Sequence, residues 1–170
     1  MMREDVRWRS GVGQNARLEG YSKWKAQLSL GPEEYLSERN VHRRRLWCKL
    51  RAGCLEVRLE TGRWERVTVA GAQKQVPVPR WARRCTLCYT EVEDAEHVLF
   101  RCPTFERLRA AFWLGSGIDP KVEQAAREVL RGQRGQEHVL WQWMMGGQGT
   151  RRAMVFLEQV MNSRAVLVGQ

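Results

Sequence analysis

A mainly α-helical chain with one small β-hairpin is expected, built around a CCHC knuckle embedded between helices and ending in a small helical bundle. Three features predict this. Apolar residues recur at helical spacing around 32–52 and again over 103–161, and each run is bounded by capping or breaking residues. Between the two, Leu55, Val57 and Leu59 alternate with Glu56, Arg58 and Glu60, which is the period of a strand. Cys85, Cys88, His97 and Cys102 then fall in one short segment with the spacing C-x2-C-x8-H-x4-C.

Taken in order, residues 1–20 form a basic, flexible arm carrying Arg3, Arg7, Arg9 and Arg17. The arm is suited either to hold phosphates or to be a solvated tail. Tyr21, Trp24, Leu28 and Leu30 follow helical spacing over 21–30. A stronger helix opens at Pro32, with Glu33 and Glu34 in its first turn where acids suit the helix dipole, and it stops at Gly53. Tyr35, Leu36, Leu46, Trp47 and Leu50 make its inner stripe. Arg39, Arg43, Arg44, Arg45, Lys49 and Arg51 lie on the other face, and no acid interrupts the run 39–51. The hairpin follows, with Thr61-Gly62 as its turn, 64–69 as its return strand and one apolar face. Residues 70–80 read as a loop. Cys48 and Cys54 read as interior hydrophobes. This divides the chain into an arm (1–20), a basic helix plus hairpin linker (21–80), a knuckle (81–113) and a helical tail (114–170).

Two cysteines two residues apart can reach one metal ion from a tight turn. A His and a Cys on the next element then close a tetrahedron around it, the ligand set of a structural zinc site. Val98, Leu99 and Phe100 supply an apolar side, and Pro103 suits the first position of a following helix. Buried free thiols and a buried, hydrogen-bonded histidine are the plain alternative. Disulfides fit less well, because five cysteines are an odd count and the start Met-Met-Arg-Glu-Asp has no apolar signal core. An intracellular setting, nucleus or cytoplasm, is expected, where thiols stay reduced. Glu91, Glu93, Asp94 and Glu96 read as a solvated turn or as groups that orient His97. A zinc ion with four protein ligands keeps no open position for a substrate water. Trp81 stands beside Arg80, Arg83 and Arg84. It can stack on a base or cap the small knuckle core, and the cap is the preferred reading.

In the tail, Phe105, Leu108 and Phe112 share one helical face, with Arg107 and Arg109 elsewhere. Asp119-Pro120 caps a helix holding Val122, Ala125, Ala126, Val129 and Leu130 in register. Val139, Leu140, Trp143 and Met144 mark another helix, closed by Gly146-Gly147. Thr150 caps the last, with Ala153, Phe156, Leu157, Val160 and Met161 inside. These stripes read as core.

The net charge is +10, from 29 basic and 19 acidic side chains. That balance points to a polyanion, above all nucleic acid. No P-loop and no G-x-S-x-G motif is present, and His42 and His138 have no partnered nucleophile in sequence. No apolar run reaches the ~18 residues of a membrane span and no lipidation motif is visible, so no membrane partner is expected.

Arg51-Ala52-Gly53, Glu60-Thr61-Gly62-Arg63-Trp64, Cys85-Thr86-Leu87-Cys88, and the run from Val92-Glu93-Asp94-Ala95-Glu96-His97 to Cys102-Pro103 together resemble a known region. It is the C-terminal zinc-binding region of non-LTR (LINE-type) retrotransposon polyproteins, which follows the reverse transcriptase domain. The likeness is densest over 46–113. It implies one structural Zn²⁺, no polymerase aspartate pair in this chain, and a non-catalytic segment that helps an upstream reverse transcriptase domain hold template RNA or target DNA. The phosphate contacts expected are Arg39, Arg43, Arg44, Arg45, Lys49, Arg80, Arg83 and Arg84, from two basic segments forming one groove. The alternative function is a zinc-stapled helical scaffold that binds protein through its tryptophans and apolar tail, as a domesticated or decayed fragment.

Overall fold

The computed structural model describes residues 34–115, 117–147 and 149–169. The expected arm, the short helix over 21–30 and Pro32 lie outside the described residues. In chain order the helices are α1 (Val41–Arg51), α2 (Arg58–Thr61), α3 (Glu106–Trp113), α4 (Pro120–Leu130), α5 (Glu137–Met145) and α6 (Thr150–Leu167). Strands β1 (Trp64–Val69) and β2 (Ala72–Pro77) form one antiparallel hairpin between α2 and α3. The chain is mainly helical with a small hairpin, as expected. Its described residues group into two compact units, 34–55 with 138–158 and 56–137 with 159–169. The stretches 21–80 and 114–170, each read as one segment, both contribute to the two units.

In the first unit, α1 starts later than the sequence suggested. Asn40 is its N-cap, with Oδ1 accepting from the Arg43 N–H at 3.1 Å. Among the described residues a single 3₁₀ turn, Glu34–Ser37, precedes it. Leu36 falls in that turn rather than on the helical stripe and is 54% exposed. Leu46, Trp47 and Leu50 are buried as expected. Arg51, placed on the outer face by the sequence reading, is buried too, its guanidinium 5.1 Å above the Tyr35 ring. The helix stops at Gly53, which adopts its φ of 65° without the strain a side chain would bring. Cys54 N–H reaches the Lys49 carbonyl and Gly53 N–H that of Leu50, the two bonds of a Schellman end. Cys48 and Cys54 are exposed rather than interior: Cys48 is on the outward side of α1, and Cys54 follows its cap. Leu140, Met144, Met145, Ala153, Met154, Phe156 and Leu157 add the rest of this unit's apolar interior. The Thr150 hydroxyl donates to the Met144 carbonyl at 3.0 Å, so it closes the end of α5 rather than capping α6.

In the second unit the hairpin sits further along than expected. Val57 is buried, as is Leu55 at the end of the first unit's opening stretch, but the chain then turns into α2 instead of continuing as a strand. The reason is Glu93, which is remote in sequence. Its side chain accepts from Arg58 N–H at 3.2 Å and its carbonyl from Leu59 N–H at 2.9 Å, which caps the short helix. The strands are 64–69 and the stretch read as a loop, in register from Trp64 opposite Pro77 to Val69 opposite Ala72. Ala70 and Gly71, with φ of 50° and 79°, make the two-residue turn. The expected apolar face is reduced to two half-buried residues, Val67 and Val76. Beyond the knuckle, α4 follows the sequence reading: the Asp119 carboxylate accepts from Lys121 N–H at 2.8 Å, Pro120 opens the helix, and Val122, Ala125, Ala126 and Val129 are buried. On α3 the buried stripe is Phe105, Arg109 and Trp113, not Phe105, Leu108 and Phe112. Among the described residues, no helix is long and apolar enough to cross a membrane.

Candidate metal centre and basic surfaces

Cys85 enters the site from an isolated bridge between Arg84 and Val92, with its N–H on the Glu91 carbonyl at 2.8 Å. The turn after it closes through Tyr89 N–H to the Cys85 carbonyl, with Tyr89 held at φ 60°. This left-handed residue turns the chain so that Cys88 faces the same point as Cys85. His97 and Cys102 are brought together differently. Residues His97–Arg101 form a π turn, closed by Cys102 N–H on the His97 carbonyl at 2.6 Å. In an α-helix, residues five apart diverge by about 140°. The wider i→i+5 turn puts them on one side. This turn packs against α3 and α4, with Val98, Leu99 and Phe100 buried beneath.

The donor atoms of Cys85, Cys88, His97 and Cys102 all lie within 4.8 Å of one another. Cys85 Sγ and Cys102 Sγ are 3.9 Å apart, and Cys88 Sγ is 3.2 Å from His97 Nε2. Metal–sulfur bonds of ~2.3 Å at tetrahedral angles put two sulfurs about 3.8 Å apart. The four groups therefore fit one metal ion, with Nε2 as the histidine donor.

Electrostatics agree with that fit. Burial pushes the Cys85 thiol up to about 12, although N–H groups of Cys88 and Leu87 pull the other way. Burial also raises Cys102. For Cys88 burial acts upward too, but hydrogen bonds from Thr90 and from the neighbouring thiols outweigh it and hold the group low. Buried thiolates without a counter-charge are unfavourable, and a bound cation supplies one. Burial holds His97 below the usual imidazole range, in the neutral form that a ligand needs.

The acid cluster is more than a solvated turn. The Asp94 carboxylate accepts from His97 N–H at 2.7 Å, and Glu91 Oε2 lies 3.5 Å from His97 Nδ1. Glu91 in turn accepts from Arg101 at 2.9 Å and pairs with Arg134. Burial would raise the Glu91 carboxyl, but Arg101 and Arg134 outweigh it and keep it ionised. His97 Nδ1 makes no hydrogen bond among the described residues, so Glu91 bears on the imidazole through its charge. Glu93 is fully buried, against Arg164 of α6 at 2.6 Å.

The basic residues separate into two kinds. Arg39 and Arg45 in the first unit, and Arg80 and Arg84 in the second, are exposed. Arg43 is half-buried and pairs through Nε with Glu158 at 2.6 Å, and Arg44 donates to the Glu38 carbonyl at 3.1 Å. Lys49 is half-buried. Arg83 is a clasp rather than an outward contact: Nε and Nη2 donate to the Val78 carbonyl at 2.9 and 2.7 Å, and Nη1 to that of Leu59 at 2.8 Å. Trp81 is 72% exposed, so it does not cap the knuckle core. Trp64, which closes the Gly62-Arg63-Trp64 motif, is 60% exposed and ends the hairpin opposite Pro77. No protein-family model, curated protein or solved structure matches this chain.

Proposed function

We propose that the chain is a zinc-stabilised, non-catalytic nucleic-acid-binding module, similar in role to the C-terminal segment of a LINE-type reverse transcriptase. Three thiolates and an imidazole form a closed, soft donor set of the kind that structural Zn²⁺ prefers. The observation that carries nucleic-acid binding is an exposed tryptophan set among exposed arginines at the entrance to the metal centre: Trp81 with Arg80 and Arg84. Guanidinium groups meet phosphates while a free indole face accepts a base. Arg39 and Arg45 give the first unit cations of its own. The rival scaffold reading loses ground because most of the apolar tail is consumed internally: Ala153, Met154, Phe156, Leu157, Val160 and Met161 are buried, and Val166 and Leu167 at its end are exposed.

Two measurements test this. Trp81→Ala should weaken binding to a single-stranded RNA by roughly 5- to 150-fold, the ~1–3 kcal/mol of one stacked base, with unchanged helix content and zinc stoichiometry. An affinity equal to wild type would remove Trp81 from the interface. Neutralising Arg39 and Arg45 together to Gln should weaken binding to RNA and to duplex DNA alike, and flatten the salt dependence by up to ~0.7–0.9 log units per lost contact. These two are cleaner probes than Arg43, which pairs with Glu158, or Arg44, which donates to the Glu38 carbonyl, because Arg39 and Arg45 are exposed. Binding that is weak and insensitive to salt in the wild-type protein would sink the proposal.

A further inference from the structure

Arg109 lies on α3, two turns after Cys102, and is only 4% exposed. Its Nε and Nη1 meet no hydrogen-bond partner among the described residues. The other buried arginines are provided for: Arg164 pairs with Glu93, and Arg51 lies over Tyr35. A buried charge ordinarily has a counter-charge, so this one requires an explanation. Burial disfavours its charged form, and the groups that favour it are the Cys102 sulfur first and then Glu106. Glu106 is exposed and sits three residues earlier on the same helix. Cys102 is buried, and the turns on either side of it, His97–Arg101 and Pro103–Phe105, both pack against α3. At 4% exposure the guanidinium is not placed to meet an external phosphate.

The charge count of the metal centre is the other half of the argument. Three thiolates and a neutral histidine around one divalent cation leave a single negative charge in a water-poor site. We propose that Arg109 is the counter-charge of the metal centre, a positioning residue that balances the excess thiolate and thereby sets the affinity for metal. The inference rests on Cys85, Cys88, His97 and Cys102 holding that metal. It assigns to Arg109 a role that its neighbours on the helix, Phe105 and Trp113, fill only by packing.

The test measures affinity of the full chain for Zn²⁺ by competition with a chromophoric chelator, and records the thiolate-to-metal charge-transfer bands of the Co²⁺-loaded protein. Arg109→Met keeps an unbranched stem as far as the position of Nε and removes the charge; Arg109→Lys keeps the charge. Arg109→Met should lower Zn²⁺ affinity roughly 10- to 100-fold, the range seen when outer-shell partners are removed. The Co²⁺ bands should still report three thiolates, and helix content at saturating metal should be unchanged. Arg109→Lys should stay within about threefold of wild type, because the balancing charge is retained. Zn²⁺ affinity of Arg109→Met equal to wild type overturns the inference, and so does Arg109→Lys falling as far as Arg109→Met, since that pattern reports shape rather than charge. Should Arg109→Met not fold, the lysine variant decides alone: near-wild-type affinity supports the inference, and a tenfold loss ends it. Wild-type protein that binds neither Zn²⁺ nor Co²⁺ would remove the metal reading as well, a result distinct from a metal-binding protein indifferent to Arg109.

Discussion

Cys88→Ser should abolish stoichiometric zinc and open the segment around 84–102 to proteases. Structural zinc in small finger peptides contributes about 10–16 kcal/mol of apparent binding free energy, which is folding free energy where no site preexists. Here the effect is divided. The π turn packs on α3 and α4 over Val98, Leu99 and Phe100, so part of the segment has apolar support of its own. The turn around Cys85 and Cys88 has less: a few backbone bonds, one left-handed residue at Tyr89, and in Cys85 a thiol whose ionisation burial opposes. That turn should lose order first. The helix content of α1, in the other unit, should survive. Metal analysis of the purified variant, with limited proteolysis and mass mapping, checks both parts. One full equivalent of zinc in the variant, with the wild-type cleavage pattern, would show that Cys88 is not a ligand. Treating the wild-type protein with a strong chelator should reproduce the cleavage at 84–102, and restoring zinc should reverse it.

The four donors were legible in sequence because coordination is encoded as spacing between chemically distinctive side chains. What joins them was not. The π turn that aligns His97 with Cys102 leaves no local signature, since Val98, Leu99 and Phe100 suit an α-helix as well. Element boundaries failed where a remote group decided them. Alternation over 55–59 describes a strand locally, but Glu93 reaches back to cap α2 and ends it. Ala72, Gln73, Lys74 and Gln75 are weak strand formers, so β2 was read as a loop; pairing across the turn at Ala70 and Gly71 overrides that propensity. Arg83 and Arg84 are indistinguishable in sequence, and only the carbonyls of Val78 and Leu59 separate a clasp from an exposed cation. Arg109 did leave a signal: it sits four residues from Phe105 and four from Trp113, the spacing of a buried stripe.

Removing either partner of the Glu93–Arg164 pair should be the most destabilising single change outside the metal ligands. Glu93 is 0% exposed and Arg164 5%, and their contact of 2.6 Å joins the knuckle to the last turns of α6. Glu93 also accepts from Arg58 N–H and stands 3.4 Å from Thr86 N, one residue beyond Cys85. Glu93→Ala therefore leaves a buried guanidinium and two backbone donors without their acceptor. Breaking one side of a buried ion pair typically costs about 3–5 kcal/mol. For a chain of this size each kcal/mol lowers Tm by about 2–4 °C, so a fall of roughly 6–20 °C is expected. Arg164→Met should cost less, because its partner keeps the backbone donors. The double variant Glu93→Gln with Arg164→Met should be more stable than Arg164→Met alone, since it leaves no unpaired buried charge and keeps an acceptor for Arg58 N–H. Thermal melts of zinc-loaded protein measure these three and the single variant Glu93→Gln, which completes the cycle. Additive single effects, or a fall below about 1 kcal/mol for Glu93→Ala, would mean that the pair is screened by water and does not hold α6 to the knuckle.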